Sequence, residues 1–209
     1  IIHFYRWVPL VGHRAIAVTG TQRTFFSSFS LLNKGKFNMT FDVSKLSDNT
    51  VDHNTVVNID AINSLTKLLA TEDVNIIHSG SAPTAMFNTK TRTLIIPAWK
   101  GLPKIVYLLL CGHEIGHALF TPVDGFNHPL IPKNMNTEGF RSILNVTEDA
   151  RIEKRVKRKY PGLRADFTEG YKRLLNAGFF GRTLEEISAE GNLADRLNVR
   201  FKGGTSVPE

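Results

Sequence analysis

Residues 104–120 read KIVYLLLCGHEIGHALF, and the rest of the chain is best read outward from them. Pro103 stands where a proline suits the first turn of a helix. Thr121-Pro122 closes the stretch, because a proline disfavours helical geometry in the residue before it. The apolar run Ile105 to Cys111 makes the helix a core element. Gly112 and Gly116 each cost roughly 1 kcal/mol of helix propensity against alanine. Two such costs in one helix point to close packing or close approach of a substrate.

The helix carries His113-Glu114-Ile115-Gly116-His117, an HExxH motif. Positions i and i+4 share a helix face, so both imidazoles reach one zinc ion. Glu114 lies about 100° round the helix from His113. Its carboxylate therefore addresses a water held by the metal rather than the metal itself. Two ligands and a general base thus come from five residues, the set needed to hydrolyse a peptide bond.

Zinc needs a third protein ligand. The downstream candidates are Asp124, His128, Glu138, Glu148 and Asp149. His128 follows His117 closely but lacks the glycine of a compact histidine-terminated loop. Glu148 and Asp149 sit in a second helical stretch, NVTEDARIE, with a carboxylate offered across the first helix. Adjacent residues point about 100° apart, so they are not equivalent ligands. Glu148 is the expected ligand, and Asp149 is expected to hold a histidine ring from behind. Tyr160, Tyr171, His78 and His128 are all candidate oxyanion stabilisers.

HEIGHALFTP followed by LNVTEDARIEKRVKRKYPGL resembles a family of phage and bacterial zinc-metallopeptidase-like proteins. Longer members of that family resemble cobaltochelatase CobT-type proteins with a C-terminal von Willebrand factor A-like domain. The order of motifs is also similar to that of gluzincins, where a helix bearing a glutamate follows HExxH. The resemblance spans about residues 54–203. It implies zinc at His113, His117 and Glu148, Asp149 beside them, a protein or peptide substrate, a C-terminal von Willebrand factor A-like domain outside this stretch, and an AAA+ partner. Ile152 departs from the thermolysin pattern, which has Asp four residues beyond the glutamate.

Flanking periodicity gives the frame. Val57, Ala61, Leu65 and Leu68 make a helical stripe, placing a helix over 54–70. VNIIH (74–78), residues 84–87 and TRTLIIP (91–97) read as strands. The last of these resembles a zincin edge strand, able to take an extended peptide by strand addition. Helices are expected over 137–160, 166–176 and 184–197, with residues 122–136 as a loop. The expected fold is α+β and zincin-like: a small twisted sheet, the HExxH helix, and a second ligand-bearing helix crossing it.

Composition bounds the alternatives. The 209 residues, 42% hydrophobic and 22% charged, suit one folded domain and not a disordered chain. One cysteine, Cys111, rules out an intrachain disulfide and multi-cysteine metal clusters. It fits a reducing compartment, and the resemblance implies the cytoplasm of a bacterial or phage-infected cell. No apolar run reaches the roughly 18 residues of a membrane span. The net charge of +7 is concentrated in residues 1–38, which hold five basic residues and no acidic one. That segment has no clear period and is expected to pack poorly, with the folded unit beginning at Met39. Residues 39–209 are then the zincin-like domain, read as the N-terminal part of a longer protein. Six basic residues crowd Arg151–Lys159. Without interleaved aromatics they read as a solvated helix face rather than a nucleic-acid surface.

Overall fold

The computed structural model describes residues 42–46, 73–82, 84–125, 128–132, 134, 137–180 and 184–204. The expected helix over 54–70, the segment 1–38 and its boundary at Met39 lie outside the described residues. The rest forms a mixed α+β unit. Its strands are β1 (Asn75–Ser79), β2 (Met86–Asn88) and β3 (Thr93–Pro97). Its helices are α1 (Lys104–Phe120), α2 (Glu138–Lys159), α3 (Leu163–Asn176), α4 (Leu184–Glu190) and α5 (Leu193–Gly203). Among the described residues no helix is long and apolar enough to cross a membrane.

The strand order β1-β3-β2 corrects the edge assignment of TRTLIIP, because β3 is the central strand. It pairs in parallel with β1, Asn75 opposite Thr93 and Ser79 opposite Pro97. It pairs antiparallel with β2, Met86 opposite Ile95. Leu94, Ile95 and Ile96 are all apolar, but burial alternates along the strand, with Thr93 and Ile95 only half-buried on the opposite face. Leu94 and Ile96 are fully buried and lie, with Phe87 of β2, in one core with α1. Pro97 can be the last paired residue since the next amide, Ala98, donates to Ser79 O at 3.0 Å. Asn88 makes the β2–β3 turn, its Oδ1 accepting from the amides of Lys90 and Thr91.

Helix α1 is the central element, buried from Val106 to His117 apart from Leu108. Pro103 precedes its first turn, and the extended Thr121 ends it, as Pro122 dictates. The two glycines owe their presence to packing. A Cβ on Gly112 would lie 2.8 Å from the Phe167 ring and 3.2 Å from Leu163, both on α3. One on Gly116 would lie 2.9 Å from Ile152 and 3.0 Å from Val156, both on α2. Each glycine thus lets a different helix close on α1. Gly112→Ala is expected to destabilise the fold. Overpacking costs roughly 1–3 kcal/mol, while the propensity gain returns only about 1 kcal/mol. Urea denaturation checks this, and a variant as stable as the wild type would mean a looser α1–α3 crossing.

Helix α2 begins at Thr137, whose hydroxyl accepts from the Phe140 amide. Its buried residues are Asn145, Val146, Asp149, Ile152, Glu153 and Val156, a stripe at three- and four-residue spacing. The single helix expected over 184–197 is two helices. Asn192 and Asp195 form a reciprocal capping box that starts α5 afresh. From there α5 runs on to Gly203, burying Ala194, Asn198, Val199 and Lys202.

Candidate metal centre

Three side chains converge where α1 crosses α2. His113, His117 and Asp149 each offer a ligand atom, all within 4.8 Å of one another. The rings of His113 and His117 stand 5.1 Å apart, nearly perpendicular. His117 Nε2 lies 3.3 Å from Asp149 Oδ1, and His113 Nε2 lies 3.6 Å from Asp149 Oδ2. All three residues are buried.

Hydrogen bonds on the far side of each ring fix the tautomers. Thr121 Oγ1 donates its only proton to Glu148 Oε1 at 2.7 Å. It therefore accepts from His117 Nδ1, 2.8 Å away, so that nitrogen carries the hydrogen. His113 Nδ1 faces Glu153 Oε1 at 3.0 Å. Burial alone would push the Glu153 carboxyl up, but the His113 bond and then Lys202 outweigh it and hold it at about 2. Glu153 is thus ionised and accepts from Nδ1–H. In neutral imidazoles both Nε2 atoms then turn lone pairs toward Asp149. Burial would also raise the Asp149 carboxyl, yet Lys202, His113 and His117 hold it far below the usual carboxylate range. Two nitrogen lone pairs and an ionised carboxylate oxygen in one buried space call for a cation. Without a metal, a proton on His117 is the substitute. Burial opposes that proton, and Asp149 outweighs the opposition and raises the imidazole's pKa.

Among the described residues Lys202 supplies the nearest fixed positive charge. Its Nζ reaches Asp149 Oδ2 at 3.1 Å and lies 4.0 Å from Glu153 Oε1. Behind His113, Glu153 also accepts from the Tyr171 hydroxyl and, through Oε2, from Lys157 at 3.0 Å. Glu114 is fully buried, and neither carboxylate oxygen has a hydrogen-bond partner among the described residues. Burial pushes its pKa up, with His113 and His117 offsetting part of that rise. A buried carboxylate in this state is costly, and it stands beside the one cluster among the described residues that would hold a cation.

Glu148, the expected ligand, lies outside the group that could hold a metal ion. Its carboxylate is gripped by Arg151, with both contacts at 2.6 Å, and by Thr121. It supports His117 through Thr121, while its neighbour Asp149 belongs to the group that could hold a metal ion. The two placements are the reverse of those expected from the sequence. The cause is the stripe on α2: Asp149 lies one turn from Val146 and Ile152, whereas Glu148 falls on the flank. Asp124, His128 and Glu138 are outside the cluster. Of the oxyanion candidates, Tyr171 is committed to Glu153 and His78 Nε2 lies 3.0 Å from the Tyr107 hydroxyl. His128 accepts from the Leu130 amide within its own loop, and Tyr160 caps the end of α2.

Sequence reading missed Thr121, Glu153 and Lys202 as parts of the site. Glu153 carried a usable signal, since it continues the Val146–Asp149–Ile152 stripe. Lys202 lies eight residues from Ala194 on a buried face, but one lysine at such a spacing is a weak sign.

Comparison of the chain with protein-family models, with curated proteins and with solved structures yields no match.

Proposed function

We propose that the chain is a zincin-like, zinc-dependent peptidase with His113, His117 and Asp149 as metal ligands and Glu114 as general base. The observation that carries this reading is the fixed tautomer pair, which aims both Nε2 atoms at an ionised Asp149. Two imidazoles and a carboxylate are a zinc donor set, and among the described residues the cluster has no fourth member. Zinc bound there would supply Lewis-acid polarisation of a substrate carbonyl and a lowered pKa for water. Glu114 would accept a proton from the attacking water and return it to the leaving amine. Its raised pKa suits that exchange. The substrate would be an extended protein segment. With β3 central, the free edge nearest α1 belongs to β2 among the described residues.

Burial favours a second reading, a structural zinc in an assembly module. His113, Glu114, His117 and Asp149 are at most 2% exposed, so a substrate reaches them only after the site opens. Both readings require the metal. Protein made with zinc available and then dialysed is expected to hold about one zinc per chain. Elemental analysis checks this, and a content near zero would remove both. Hydrolysis of a broad peptide library by the zinc-loaded chain separates the two.

A further inference from the structure

The six basic residues of 151–159 have separate fates in the fold. Arg151 grips Glu148 and the Phe120 carbonyl. Arg155 lies over the Phe120 ring, and Lys159 over Tyr160. Lys157 is tied to Glu153. Lys154 and Arg158, one helical turn apart and exposed, have no carboxylate partner among the described residues.

These two residues line a cleft of about 380 Å³ between α2, the start of α3 and the end of α5. Lys157, Arg164 and Phe201 also line it, and its one carboxylate is Glu153. Glu153 is 4% exposed and already engaged by His113, Tyr171 and Lys157. Arg164 is oriented by its Nε bond to the Lys157 carbonyl at 3.1 Å. Phe201 is 49% exposed, a large ring left in water beside these cations. The aromatic missing from the basic run in sequence is therefore supplied by α5 across the fold.

We propose that this cleft seats a segment of single-stranded nucleic acid, its phosphates on Lys154, Arg158 and Arg164 and one base on Phe201. Guanidinium forks suit phosphate oxygens. An exposed ring beside them is the stacking platform that single strands use. An acidic peptide would use the cations and leave the ring without a role. The inference does not depend on the peptidase reading, because neither the metal nor Glu114 takes part.

The test is fluorescence anisotropy of a short labelled oligothymidylate with the full chain over a range of salt concentrations. Comparison among variants subtracts the contribution of the basic residues in 1–38. K154A/R158A removes two phosphate-binding cations and should reduce the log–log salt slope by about 1.4. Phe201→Ala should weaken binding about 5- to 150-fold at fixed salt and leave the slope unchanged. Circular dichroism checks that the variants fold, all three side chains being exposed. An unchanged slope in K154A/R158A, or unchanged affinity in Phe201→Ala, overturns the proposal. So does labelled polyglutamate that binds as tightly and fails to bind the same double variant, which would assign the cleft to an acidic protein partner.

Discussion

Glu114→Gln is expected to lower peptide hydrolysis by about 10²- to 10⁴-fold, the usual contribution of a general base. Zinc content should remain near that of the wild type, because His113, His117 and Asp149 are untouched. Gln keeps the shape and one accepting oxygen but cannot take a proton at neutral pH. Glu114 is completely buried, so removing its charge should leave the fold as stable or slightly more so. The comparison needs both measurements on one preparation: turnover of a peptide substrate and metal per chain. Full activity in the variant would end the general-base role. A fully zinc-loaded wild type with no hydrolysis would leave the structural reading in its place.

Asp149→Asn has the largest expected effect on the centre itself. It removes the anionic ligand, so zinc affinity should fall by more than the roughly 10–100-fold typical of residues behind a ligand. It also takes the carboxylate from Lys202, whose side chain is 3% exposed and 3.1 Å from Asp149. Breaking one side of a buried ion pair costs roughly 3–5 kcal/mol, and Glu153 at 4.0 Å offers Lys202 only a partial replacement. Glu148→Gln is the paired control. It acts on His117 through Thr121 and by its charge, without entering the cluster, so its loss of zinc affinity should stay within about 10–100-fold. Competition with a zinc-responsive chelator measures both affinities, and urea denaturation of the metal-free chain measures the ion pair. If Glu148→Gln abolished zinc binding and Asp149→Asn hardly changed it, the ligand would be Glu148 after all.

What could be read from the sequence was whatever depends on near neighbours. HExxH places two imidazoles on one face by helix geometry alone, and Pro103 and Pro122 bound their helix locally. The β-branched run before it forms a strand, but its rank in the sheet depends on pairing with β1 and β2, so the edge assignment failed. The choice between Glu148 and Asp149 depended on which face of α2 meets α1. The apolar residues at 146, 152 and 156 held that answer, and the charges between them pointed away from it. Glu153 looked solvated for the same reason. Lys202 could not be placed, because its partner comes from a distant helix. Gly112 and Gly116 do mark close approach, but only the crossing of α3 and α2 shows that the approaching groups are side chains.

Lys202 also gives the centre a history. During synthesis Asp149 leaves the ribosome fifty-three residues before the lysine that will neutralise it. Throughout that interval His113, His117, Asp149 and Glu153 exist as a nascent segment whose carboxylates have no α5 to answer them. Until α5 is made, Asp149 lacks the cation that the finished fold sets against its second oxygen. Helix α5 then arrives with its own positive charge and covers the second oxygen of Asp149. The buried pair that ties α5 to α2 is thus among the later contacts of the described fold to become possible.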